Sequence, residues 1–202
     1  MTENFLDKVY AARGEEQTRE IYDNWAASYE AEVAQNGYAT PGRCAQALAK
    51  VTEDLTAPVL DFGCGTGLSG LALKLAGFST IDGVDLSAEM LAQAQAKGVY
   101  RETRQVTGDL SLETGRYSTI TAIGVIGSGA APISVLDTLM NALGPGGRLV
   151  FSFNDHTLED PVHEARISEW TDCGAARLIF RERGEHLPGL GMKSNVYILE
   201  KA

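Results

Sequence analysis

Long apolar runs are missing from this chain of 202 residues: no stretch approaches the ~20 consecutive apolar residues of a membrane-spanning helix. A leader-like start is missing too. The opening MTENFLDKVYAARGEEQ is charged and holds no long apolar run, so it does not read as a secretory signal. Cysteine is scarce. Cys44, Cys64 and Cys173 stand apart and are odd in number, which excludes a disulfide framework and a CxxC zinc pattern. The expectation is a cytoplasmic protein in a reducing setting, with no membrane partner and no metal site. Positive charge is in short supply as well. With 17 Lys+Arg against 27 Asp+Glu, the formal net charge is −10. That balance disfavours a general affinity for phosphate backbones. The densest basic run, Arg177 to Arg183, is interrupted by apolar residues and Glu182, like the outer face of a strand. Nucleic acid is therefore not the expected partner.

What is present reads as one domain. The hydrophobic fraction is 44% and the charged fraction 22%, close to globular averages, and the length allows a substantial core. EEQTREIYDNWAASYEAEVAQN, residues 15–36, places Tyr22, Trp25, Tyr29 and Val33 at helical spacing before Gly37 stops it. A second helix starts with Pro41 in its first turn. From there apolar strands and helices alternate: APVLDFG, TGLSGLALKLAG, STIDGVDL, then SAEMLAQAQAKG with Ser87 as N-cap. YRETRQVTGDL, YSTITAIGVIG, PISVLDTLMNALGPGG, RLVFSFND and EDPVHEARISEW continue the pattern. The last two strands follow each other with no helix between. This alternation predicts an α/β fold, a parallel sheet with helices on both faces, closed by an antiparallel C-terminal hairpin.

Ligands of parallel sheets bind beyond the C-terminal ends of the strands, so four strand ends carry the information. The first is VLDFGCGTGLSG, where Asp61 precedes Gly63, Gly65, Gly67 and Gly70. One glycine makes a turn; four let another molecule approach the main chain at a helix N-terminus. Cys64 within it reads as a space-filler. The second is Asp85, ~20 residues on, where an acid can take two ribose hydroxyls; Asp82 competes but sits earlier in the strand. The third is TGDL, Thr107 to Leu110, whose plain alternative is a Gly-Asp turn. The fourth is GVIGSGAAP, Gly124 to Pro132, whose small residues leave room for a ligand. Two cofactors remain open at this point. GTGLSG satisfies the dinucleotide pattern GxGxxG, while GCGTG is also GxGxG. Asp61 would face a dinucleotide pyrophosphate unfavourably and suits an ammonium group.

Taken together, VLDFGCGTG, GVDLSAEML, GDL and LGPGGRLVFS resemble, in order and spacing, the motifs of the class I S-adenosylmethionine-dependent methyltransferases. The resemblance covers roughly residues 57 to 155. YDNWAASYEAEVAQNGYATP is similar to the N-terminal segment of a small-molecule group that includes the Williams–Beuren-region methyltransferase-like proteins. It implies a Rossmann-like, mostly parallel seven-stranded sheet in a single domain, residues 1–202. Residues 1–40 would form a helical cap, 57–155 the cofactor core, and 156–202 a substrate-side helix and the terminal hairpin. It implies S-adenosylmethionine as cofactor, S-adenosylhomocysteine as product and a small-molecule methyl acceptor. Asp61 and Gly63 would hold the methionine amino end, with Gly65 and Gly67 completing the turn. Asp85 would take the ribose hydroxyls and Leu86 would pack on adenine. Asp109 and the Leu110 N–H would contact the adenine edge, and Gly124 would line the methionine side. Tyr22 and Tyr29, with Tyr38 as a weaker contact, would cover the sulfonium through cation–π attraction; core packing is the plain alternative for this helical stripe. If the acceptor needs deprotonation, His156 and Asp155 are the bases to consider; His163 and His186 read as structural. No Asn-Pro-Pro-Tyr-like motif follows the fourth strand, where GVIGSG stands. That argues against the DNA-adenine and protein-glutamine methylating groups. The competing readings are a non-catalytic S-adenosylmethionine-binding protein and an NAD(P)-binding oxidoreductase.

Overall fold

The computed structural model describes residues 15–107, 112–127 and 129–202, with the backbone alone for residues 15, 16, 18, 22 and 27. Helix α1, Glu15–Gln35, is followed by α2, Thr40–Val51. Then come β1 (Val59–Phe62), α3 (Leu68–Leu75), β2 (Ile81–Asp85), α4 (Ala88–Ala96), β3 (Glu102–Gln105) and β4 (Thr119–Ala122). The chain continues through α5 (Ser134–Ala142), β5 (Arg148–Asn154), the single turn α6 (Asp155–Leu158) and α7 (Val162–Asp172). It ends in the hairpin β6 (Ala176–Leu187) and β7 (Met192–Lys201). The seven strands form one sheet in the order β3-β2-β1-β4-β5-β7-β6. The pairs among β1 to β5 are parallel, and β7 runs antiparallel between β5 and β6.

The central strands bury both faces. All four residues of β4 are buried, as are five of the seven in β5, which is why their sequences are near-continuous apolar runs. One face packs Leu136, Leu139 and Met140 of α5 and Ile167 of α7 against Phe151, Phe153 and Tyr197. The other packs Cys44 and Leu48 of α2 and Leu73 of α3 against Val59, Ile81, Val150 and Ile198. The edges are charged instead. In β3, Glu102, Arg104 and Gln105 are exposed. The basic run of β6 is spent on ion pairs: Arg181 with Glu164 at 2.7 Å, Arg183 with Asp155 at 2.6 Å, and Arg177 with Glu200. Charged edges resist pairing with another sheet.

Helix α1 docks through Trp25, Ala26 and Val33, which are buried. Gln93 of α4 donates to the Ala26 carbonyl at 2.6 Å, and Lys97 pairs with Glu30. Helix α1 is therefore seated on α4, with Trp25 in the core and edge-on to Tyr29 at 4.8 Å. The strand order reverses between β1 and β4. Chains leave those two C-terminal ends in opposite directions, and the gap between them is where open α/β sheets hold ligands.

Candidate functional site

A cavity of about 530 Å³ opens at that gap, within the size range of small-molecule and cofactor sites. Its floor is the glycine turn, its sides are the ends of β2 and β4, and α1 and the α1–α2 corner contribute Arg19, Tyr29, Tyr38 and Pro41.

The turn takes its shape from its glycines. Gly63, Gly65 and Gly67 have φ of 67°, 52° and 93°, a region that L side chains rarely adopt. A Cβ on Gly65 would project into open space, whereas on Gly63 it would meet Val125 at 2.5 Å. Gly65 therefore leaves a cradle that a ligand can enter, and Gly63 permits close packing with the β4 loop. Gly67 caps α3 and does not line the cavity. Gly67 has no side chain with which to cap α3; the Tyr100 hydroxyl takes the Gly70 N–H, and the remaining first-turn donors stand at the glycine turn with the positive end of the dipole. Thr66 adds an independent sign. It is 1% exposed, it lines the cavity, and its Oγ1 has no hydrogen-bond partner among the described residues. A buried hydroxyl without a partner costs on the order of 1–3 kcal/mol, a cost that a polar group entering the cavity would offset.

Asp85 sits at the end of β2 in the cavity wall. Its carboxylate accepts from the Gly65 N–H at 2.8 Å and the Ser87 N–H at 2.9 Å. It thus ties the turn to the start of α4, where the Ser87 hydroxyl accepts from the Met90 N–H. Burial raises its pKa, and the N–H groups of Ser87 and Gly65 act in the other direction. Leu86, Val106 and Thr107 continue the wall beside it. Gly124 and Val125, past β4, close the opposite side, with Ala130, Ala131 and Pro132 beyond them. Gly124 has φ 71°, and a Cβ there would meet the Tyr38 hydroxyl at 2.6 Å. Its glycine lets the phenol of the α1–α2 corner reach the strand end.

Asp61 requires a correction. It does not line the cavity but lies beneath the turn, 0% exposed. Thr121, its register partner on β4, donates to Oδ1 at 2.7 Å. Ser69 and Tyr100 donate to Oδ2 at 2.6 and 2.8 Å. Burial raises its pKa, opposed by these three hydroxyls. Asp61 therefore braces the turn from below. Its carboxylate is taken up by these three hydroxyls and is not part of the cavity lining.

The proposed bases also need correcting. Asp155 accepts from the Lys193 N–H at 2.8 Å and pairs with Arg183, securing the end of β5 to the hairpin. Burial raises its pKa, but these partners outweigh that and hold it below the usual value. His156 is 45% exposed and lies 3.6 Å from Glu159. Neither residue lines the cavity, and among the described residues nothing after Thr138 does. The described residues of 156–202 therefore contribute no lining to this cavity. The strand β5 ends in a polar corner turned toward the hairpin, which is what carries both side chains away. Asp109 and Leu110 lie outside the described residues, as does the Tyr22 side chain. Cys64 is buried in the turn, and burial pushes its thiol far up, so it is inert.

The methyltransferase-domain family matches residues 37–190, a span that takes in the turn, both strand ends and the start of the hairpin. The chain belongs to the class I S-adenosylmethionine-dependent methyltransferases. Human methyltransferase-like protein 27 is 33% identical over 139 residues. The match covers 65% of this chain and 55% of that protein, so the chain spans about half the length of this curated relative. The complex between the Haloferax volcanii Trm112 methyltransferase activator and its candidate methyltransferase contains a similar fold. Its TM-score is 0.62 at 17% identity, covering 88% of this chain and 96% of that one. An S-adenosylmethionine-dependent methyltransferase from Mesorhizobium loti gives 0.58 at 18% identity, covering 77% and 96%. S-adenosylmethionine is the cofactor of this family.

Sequence reasoning missed Thr66, Ser69 and Tyr100. The first two lie inside the glycine stretch, whose glycines carry the stronger signal. Tyr100 left one trace: Gly70 sits inside a helix, where glycine is disfavoured unless something packs closely against it.

Proposed function

We propose that this chain transfers a methyl group from S-adenosylmethionine to a small-molecule acceptor. The observation that carries this is the Thr66 hydroxyl, buried and unpartnered in a cavity wall beside the open cradle of Gly65. In this reading Gly63, Gly65 and Thr66 hold the amino-acid end at the N-terminus of α3. Asp85 takes the ribose hydroxyls, and Leu86 and Val106 flank the adenine. Asp109 and the Leu110 N–H would complete the adenine contacts, as the resemblance implies. Tyr29 and Tyr38 cover the site from the α1 side.

The cofactor supplies a methyl group already activated by sulfonium charge. The chain's own task is to hold the acceptor in line with it and to keep water out, and orientation alone can supply much of the barrier reduction. The apolar surface of Val125, Ala130, Ala131 and Pro132 suits a small, largely apolar acceptor. Neither His156 nor Asp155 lines the cavity, so neither is assigned as a base. The net charge of −10 and the ion-paired basic run support a small acceptor over a nucleic acid. Among the described residues no helix is long and apolar enough to cross a membrane, and Cys44, Cys64 and Cys173 are free. A cytoplasmic location is part of this proposal.

The test is isothermal titration calorimetry with S-adenosylhomocysteine, S-adenosylmethionine and NAD in parallel, followed by an acceptor screen that reads S-adenosylhomocysteine release. Micromolar binding of the first two without NAD is expected, with turnover on small molecules and none on total RNA. NAD binding alone would overturn the cofactor assignment. Tight cofactor binding with turnover only on RNA would overturn the acceptor class.

A further inference from the structure

We propose that Tyr100 is the positioning residue of the cofactor site, a tertiary cap that sets the glycine turn from 30 residues further along the chain. The proposal rests on the reading above. Tyr100 does not line the cavity. Its hydroxyl donates to Asp61 Oδ2 at 2.8 Å and accepts from the Gly70 N–H at 3.1 Å. One oxygen thus joins the buried carboxylate under the turn to the first turn of α3. Ser69, whose hydroxyl donates to the same Oδ2 at 2.6 Å, lines the cavity.

Three glycines exist around this ring. A Cβ on Gly70 would lie 2.3 Å from the phenol oxygen, and one on Gly83 would lie 3.1 Å from the ring. One on Gly67 would lie 3.2 Å from it. Gly70 and Gly83 have ordinary φ, so packing and not backbone conformation requires glycine there. Burial and the neighbouring Asp61 charge raise the phenol pKa, so the hydroxyl keeps its proton and the direction of both bonds is fixed. The Gly70 N–H is one of the first-turn donors of α3. Satisfying it from below leaves the donors nearer the cavity, with the Thr66 hydroxyl, for the ligand. Tyr100 therefore acts on the amino-acid end of the ligand and not on its adenosine end.

The test uses Tyr100→Phe, which keeps the ring and removes only the hydroxyl. Calorimetry compares S-adenosylhomocysteine with methylthioadenosine, which lacks the amino-acid arm. The variant should bind S-adenosylhomocysteine about tenfold more weakly and methylthioadenosine within twofold of wild type. Amide hydrogen exchange without ligand should speed up over residues 63–71 and not over β5 and β7. Equal losses for both ligands, or no loss, would overturn the proposal, as would exchange that is unchanged or faster everywhere. If Tyr100→Phe does not fold, Gly70→Ala applies the same tests by pushing the phenol aside. Failure of wild type to bind either ligand would sink the cofactor reading alone, because the exchange result still decides the role of Tyr100.

Discussion

His186 gives the sharpest quantitative prediction. It is the penultimate residue of β6, is 6% exposed, and its Nδ1 lies 2.8 Å from Thr40 Oγ1. That hydroxyl is 2.9 Å from Ser194 Oγ, which accepts from Arg43 at 3.0 Å. Tyr38, a cavity residue, packs edge-on to the imidazole at 5.3 Å. Burial lowers the His186 pKa from 6.5 to about 4; Asp155 opposes this, while Arg43 and His156 add to it. The sign follows directly. Below pH 6.5 the unfolded chain takes up a proton that the folded chain refuses until about pH 4. Stability is therefore full above 6.5 and falls as pH drops through that window. Integrated from pH 7 to pH 5, the loss is about 2 kcal/mol. Asp61 and Asp85 have raised pKa values and contribute with the opposite sign, but they are common to wild type and a His186→Asn variant. Urea unfolding of both proteins at pH 7, 6 and 5 isolates the histidine. Wild type should lose about 2 kcal/mol more than the variant across that range. Parallel curves would mean that His186 titrates in the fold as it does in the unfolded chain, and a wild type that gains on the variant would mean that it is charged in the fold; either would refute the buried link from Thr40 to Ser194.

Three further outcomes are expected. Asp85→Asn should weaken S-adenosylhomocysteine binding by roughly 1.5–3 kcal/mol, the scale of charge-assisted hydrogen bonds; unchanged affinity in calorimetry would remove Asp85 from the site. Tyr29→Leu should cost S-adenosylmethionine about 0.5–2 kcal/mol through lost cation–π attraction, and cost the uncharged S-adenosylhomocysteine less. Equal losses would mean that the ring only packs. Trp25→Ala, at 2% exposure, should destabilise the fold by about 3–5 kcal/mol in urea, and a small effect would mean that α1 is not part of the core.

The fold was legible because its signals are local. Pro41, Gly37, Gly77 and Ser87 mark helix ends by their own chemistry, and the structure ends helices beside each of them. The antiparallel hairpin was legible from the missing helix between Arg177 and Tyr197. The one-turn α6 was not, because four residues carry no period; Asn154 caps it by accepting from the Thr157 N–H at 3.0 Å. Its first two residues, Asp155 and His156, looked like catalytic groups at a strand end, while the structure puts them at a corner outside the cavity lining. The aromatic stripe of α1 divided in a way periodicity does not show: Trp25 went to the core and Tyr29 to the cavity wall.

The glycine stretch shows most clearly where sequence reading stops. Gly63, Gly65, Gly67 and Gly70 look alike in VLDFGCGTGLSG, yet they answer to different forces. The first three are set by positive φ, and among them only Gly63 and Gly65 line the cavity. Gly70 has helical geometry and yields to the Tyr100 ring. Asp61 differs in the same way. A carboxylate before a glycine turn can face the ligand or brace the turn from beneath, and the local sequence is identical in both cases. What decides is whether hydroxyls arrive from elsewhere in the chain to satisfy it. Here they come from Ser69, Tyr100 and Thr121, at sequence separations of 8, 39 and 60. Only the packing of β1 against β4, with Tyr100 laid over Gly83, brings them together.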